Sequence, residues 1–171
     1  PMSKRKYYGL STNSIMEEIY LLIAARLQEA VPELDHIDED TGQLYPVQYD
    51  DRYEYPVLFP CALVDAHTVD WKAGSAVDRQ RGGASVTIKL AFKCDEDTHY
   101  TSTEHGNVFV QMRARQAVKK KVAGALNGFC FTETMAPMFR VQSRSYTLPG
   151  RVRVYEETFN VNVTESLEIG E

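Results

Sequence analysis

The stretch "QRGGASVTIKLAFKC", residues 80–94, opens on two glycines and closes on a cysteine. Between them the residue types alternate. Val86, Ile88, Leu90 and Phe92 fall on one side, and Ser85, Thr87, Lys89 and Lys93 on the other. A period of two describes a β-strand with one buried face and one wet face. Nothing next to it in the sequence has the make-up of a reaction centre. The sheet this strand belongs to is therefore itself the first candidate for the working surface.

Reading outward from that strand gives the neighbouring elements. Ser14 begins a helix, with Glu17 three residues later in capping-box spacing. Ile15, Ile19, Leu22, Ile23, Leu27, Ala30 and Val31 recur at helical spacing, and Pro32 ends the run. Residues 35–56, rich in Asp, Glu and Tyr, read as a loop or loose extended segment. "VLFPCALVDA", residues 57–66, reads as a buried strand, with Pro60 arguing for an edge position or a bulge. Residues 67–84 are polar and read as a long loop between two strands, carrying the sole tryptophan, Trp71, with Arg79 and Arg81. Tryptophan and arginine are the residue types that protein contacts favour. A second helix is predicted from about His105 to Asn127, with Val108, Phe109, Met112, Val118, Val122, Ala125 and Leu126 on its apolar side and Gly128 as its C-cap. Arg113, Arg115, Lys119, Lys120 and Lys121 crowd the rest of it. "FRVQSRSYTL", the turn "PG" and "RVRVYEETFNVNVTE" form a long antiparallel hairpin. The apolar phase slips at Glu156-Glu157-Thr158, which predicts a β-bulge there.

The order helix, strand, strand, helix, strand, strand is that of an α+β fold: an antiparallel β-sheet with two main helices packed on one face, and a long loop between the central strands. Residues 14–165 are expected to form a single domain, flanked by flexible segments at 1–13 and 166–171. Pro1 before Met2 reads as a remnant of tag cleavage, with Met2 as the native start.

With 171 residues the chain is long enough for one domain with a sizeable core. Its net charge of −5 argues against wholesale nucleic-acid binding. No apolar run is long enough to span a membrane, and no apolar segment follows the basic N-terminus as a secretory signal requires. Cys61, Cys94 and Cys130 form no CxxC pair and no zinc spacing. They read as buried thiols of a reducing compartment.

Two Asp-x-His pairs, Asp65 with His67 and Asp97 with His99, are the candidate metal ligands. In extended chain, residues two apart face the same way, so two such segments side by side would offer two imidazoles and two carboxylates. The plainer reading is that Asp and His sit at strand ends as turn formers. "DEDTGQL", residues 38–44, has the start of a calcium loop but Tyr49 where the twelfth-position glutamate belongs. Asp50, Asp51, Glu54, Glu156 and Glu157 are possible acid–base carboxylates, with a solvated face as the plainer reading. The basic stripe from Arg113 to Lys121 has phosphate binding as its functional reading, and a solvated face or acids on a neighbouring subunit as the plainer ones. No phosphate loop and no nucleophile elbow is present.

The helix ending in "AVPELDHID", the strand "YPVLFPCALVD", the Trp-bearing segment, "GGASVTIKLAF", the second long helix and the closing "PGRVRVYEETFNVNV" follow one another in an order that resembles the tail-terminator, or tail-completion, proteins of long-tailed bacteriophages. The likeness covers about residues 14–164 and is nearest to versions from phages and prophages of Bacteroidetes-type bacteria. It implies a structural minor tail protein without enzymatic activity or cofactor, forming a homo-oligomeric ring, typically a hexamer. The ring would cap the tail tube and meet the head–tail connector, with DNA passing through and not bound specifically. The implied location is the host cytoplasm during assembly, then the virion tail, with no membrane partner. It also implies that Trp71, Arg79, Arg81, Arg113, Arg115, Lys119 and Lys120 contact a neighbouring subunit or the tube. The alternatives are a head–tail adaptor or neck protein, and a metal-dependent enzyme built on the Asp-x-His pairs.

Overall fold

The computed structural model describes residues 14–74, 76–95, 106–132 and 135–167. The first helix, α1, spans Ile15–Ala30. Ser14 has extended backbone and accepts the Glu17 N–H at 3.3 Å, so it caps the helix as its position predicts. A carboxylate from the far end of the chain, Glu165, accepts the Ile15 N–H at 3.0 Å. Ile15, Ile19, Ile23 and Leu27 are all at most 4% exposed. Full burial of each such side chain stabilises by about 1.5–3 kcal/mol, which fixes this face of α1 on the sheet.

Seven strands follow in chain order with one helix among them: β1 (His36–Glu39), β2 (Val47–Tyr49), β3 (Arg52–Glu54), β4 (Cys61–Lys72), β5 (Arg79–Lys93), α2 (Gly106–Leu126), β6 (Phe139–Leu148) and β7 (Val152–Ser166). Five of them form one sheet in the order β1-β4-β5-β7-β6, while β2 and β3 pair separately. The fold class is α+β, as the alternation of elements predicts. The sheet is mixed and not wholly antiparallel, because β1 runs parallel to β4 at one edge.

Four expectations are corrected. The stretch 67–84 is mostly strand: Lys72 pairs with Arg81 and Val69 with Ala84, so β4 and β5 are joined through residues 73–78. Pro60 lies just outside β4, after a cis peptide, and β4 is an inner strand, so the proline interrupts no ladder. Residues 35–56 contain β1 and the β2–β3 hairpin. Finally, β7 has no bulge at Glu156–Thr158, since its register with β5 is unbroken from Ser166 to Val152. The extra residue at that level is Val141 on β6, between Arg140 and Gln142.

The phase slip in β7 has another cause, because the sheet is covered on both sides at different heights. Tyr155, Phe159, Val161 and Val163 join the helices in the main core. Val152 and Val154 face the opposite side, where Leu44, Tyr55, Val57 and Phe59 fold over Cys61, Leu63 and Ala91. The second face of β5, predicted to be wet, is thus dry at Ala91. Among the described side chains of α2, Val118, Val122 and Leu126 are buried, whereas Val110 and Met112 are exposed. Gly128, with φ of +77°, follows α2 in the left-handed conformation that suits a C-cap. The three thiols are free, but only Cys61 is buried; Cys130 is exposed, contrary to the expectation for it.

Candidate functional site

The predicted contact residues fall into two places. Trp71 is the penultimate residue of β4, and Arg79 and Arg81 lie at the start of β5. Here β5 pairs with both β4 and the end of β7, and Asp70–Lys72 and Asp78–Arg79 are exposed. Trp71 pairs with Gly82, and a Cβ on that glycine would sit 2.8 Å from the indole and 2.7 Å from Val69 Cγ1. The missing side chain is what lets both residues lie across β5.

The second place is the groove between α2 and the β6–β7 hairpin. One part of it, about 470 Å³, is lined by Arg115, Lys119, Ser143, Ser145 and Arg153. The adjoining part, about 650 Å³, runs past Lys119, Lys120 and Arg140. Both floors share Gln116 and Lys119, so they form one basic trough. The sequence places Arg115, Lys119 and Lys120 on α2, while Arg140, Ser143 and Arg153 arrive only through tertiary folding. Period-two alternation in "FRVQSRSYTL" and "RVRV" was the available signal for them, and it reads equally well as an ordinary wet face.

Glu157 sits beneath this trough with 0% exposure. The Ser143 hydroxyl donates to its Oε2 at 2.6 Å, and Arg140 Nη1 donates to the same oxygen at 3.3 Å. Lys119 Nζ lies 3.3 Å from Oε1 without hydrogen-bond geometry, and 5.5 Å from the Tyr155 ring centre. Lys119 is therefore an internal counter-ion. Arg153 donates to Ser145 Oγ at 2.8 Å and Thr147 Oγ1 at 3.0 Å. Arg115 Nε is buried without a hydrogen-bond partner among the described residues.

Glu156, one residue along, points to the other face. Arg144 Nε and Tyr146 Oη donate to it, the latter at 2.8 Å. Burial alone would raise its carboxyl, but the hydrogen bonds from Arg144 and Tyr146 and the charges of Arg144 and Lys89 prevail and hold it below the ordinary carboxylate value. Burial, the bond to Glu156 and its charge push the Tyr146 phenol upward. Through these two donors Glu156 ties β7 to β6 on this face of the sheet.

Of the metal candidates, Asp65 lies on β4 and the His67 backbone follows it beside a bulge, between Asp65 and Thr68. Asp97 and His99 lie outside the described residues. Among the described residues no group of three or more potential ligands converges. Arg113 lies on α2 and has an interaction partner. No helix of the structure is long and apolar enough to cross a membrane.

No family model matches this chain, and no curated protein matches it. Among solved structures, a chain from "Virion of native gene transfer agent (GTA) particle" is similar, with 10% identity and a TM-score of 0.48 over 89% of this chain and 96% of that one.

Proposed function

We propose that this chain is a structural assembly subunit of a phage-like particle, and that within this class it acts as a tail-terminator or tail-completion protein. On this reading it joins copies of itself into a ring, which stacks on the tail tube and meets the head–tail connector. The sequence likeness described above motivates the class. The observation that carries it here is the exposed three-stranded end holding Trp71, Arg79 and Arg81. It is a hydrogen-bonded strand end with an aromatic and cations at exposed positions. A segment already held in a ladder loses less conformational entropy on docking than a loop does.

Native mass by light scattering across a concentration series, with and without the tube protein of the same particle, tests the reading. A defined ring-sized species, seen also by negative-stain imaging, is the expected result. A monomer at every concentration that also fails to join the tube overturns it. Deleting residues 73–78 and shortening the hairpin is expected to abolish assembly while leaving the fold intact by circular dichroism.

A further inference from the structure

The two edges of the five-stranded sheet differ in length, direction and charge. β6 forms one edge and is exposed from Phe139 to Ser145; among the described residues it pairs only with β7. Open edges of this kind template pairing with another chain. β1 forms the other edge and pairs only with β4 among the described residues. The directions follow from the pairings. β1 is parallel to β4, and β4, β5, β7 and β6 then alternate, so β6 runs opposite to β1. A neighbouring copy whose helices lie on the same side of the sheet therefore brings its β6 antiparallel to β1, the more stable ladder.

Charge selects this arrangement over the alternatives. The β6–β7 hairpin carries Arg140, Arg144, Arg151 and Arg153 against Glu156, Glu157 and Glu165; Glu156 and Glu157 are buried, and Glu165 lies at the far end of β7, bound to the Ile15 N–H. The side chains of Arg140 and Arg144 are still 43% and 64% exposed. The segment leading through β1 carries Glu33, Asp35, Asp38, Glu39 and Asp40; within the chain Glu33 pairs with Lys121, and Asp40, its side chain 8% exposed, pairs with Lys89. Glu33 and Asp38 are 40% and 48% exposed. A two-fold contact of β6 with β6, or of β1 with β1, sets like charges across from one another, which destabilises a strand pair. Contact of β6 with β1 sets opposite charges together and leaves each outer edge free to repeat it. That is a heterologous contact, which closes into a ring or runs on as a filament.

We infer that the partner of the β6 edge is the β1 edge of a second copy of this chain, with the acidic segment 33–40 reaching the basic trough between α2 and β6. The inference deepens the ring reading above by naming the surfaces that meet. Cross-linking tests it. The background is Cys94→Ser with Cys130→Ser; Cys61 stays, because burial pushes its thiol up to about 12 and leaves it unreactive. Val141→Cys marks the start of β6, and Thr41→Cys marks the exposed position just after β1. The antiparallel arrangement brings these two together. With a short flexible bis-maleimide at high protein concentration, a mixture of the two variants is expected to give a band at twice the 19.4 kDa chain mass, while either alone stays at that mass. The double variant is expected to give a ladder. A dimer band from Val141→Cys alone means a two-fold β6 contact and overturns the inference. So does an unlinked mixture. If light scattering still finds a ring in that case, the ring reading stands and only the edges are wrong; links without any ring of defined size leave the edges and remove the ring.

Discussion

Glu156 and Glu157 are neighbours in sequence and point to opposite faces of one strand. Each would be costly to bury alone, and each is matched by donors from β6: Arg144 and Tyr146 for one, Arg140 and Ser143 for the other. The consequence for pH is specific. The folded state holds Glu156 below its ordinary value, so it contributes stability that is present above the unfolded carboxyl value, about 4.3, and lost as pH falls through the folded one. Arg144→Ala removes the main group opposing desolvation. Its acid limb of Tm against pH is expected to move to higher pH than wild type, read by circular dichroism melts from about pH 7 to 3. Coincident acid limbs would show that Arg144 does not hold Glu156. The sequence displayed the Glu-Glu pair but not its role, since nothing in a one-dimensional string says that the two partners of each carboxylate lie one strand away.

At the scale of elements, α1 and the alternating part of β5 were legible because each has a single buried face whose period survives in the string. The strands through 69–84 were not. Their end is exposed at Asp70–Lys72 and Asp78–Arg79, so polar residues and glycines leave no apolar alternation, and the ladders of β5 with β4 and with β7 hold them extended. Gly82 and Gly83 make the point testable. A methyl at Gly82 meets Val69 and Trp71 at 2.7 and 2.8 Å, whereas one at Gly83 meets only Asn162 Oδ1 at 3.9 Å. Gly82→Ala is expected to cost about 1–3 kcal/mol by overpacking. Gly83→Ala is expected to be near neutral or slightly stabilising, because an interior strand glycine costs entropy that alanine does not. Urea midpoints of the two variants check this, and equal midpoints would refute the close packing of Trp71 over Gly82. The bulge predicted in β7 belongs to the same class of error: one strand buried on alternate sides at different heights imitates a register slip.

At the scale of the molecule, two apolar clusters lie on opposite faces of one sheet and share β4, β5 and β7. They are expected to unfold together. Phe159→Ala in the main core should lose about 3–5 kcal/mol. Val154→Ala on the other face should lose less, about 0.5–3 kcal/mol, from the same transition. Near- and far-ultraviolet circular dichroism should follow one curve in both variants, and two separable transitions would mean that the covering segment 44–59 folds independently of the sheet.

By itself the sequence determined the α+β class, the first helix with its Ser14 cap, the extent of the second helix, the Pro149-Gly150 hairpin and the basic character of α2. Each of these is a local pattern, or a chemical type at a fixed spacing. Tertiary structure decided the rest: the parallel edge strand β1, the second small core, the burial of Glu157 under Lys119, and the meeting of α2 cations with arginines of β6 and β7. These depend on pairings between segments up to 150 residues apart, as when Glu165 reaches the first N–H of α1. Such pairings leave no period in the string. They are selected by the need to cover both faces of one sheet and to give every buried charge a partner.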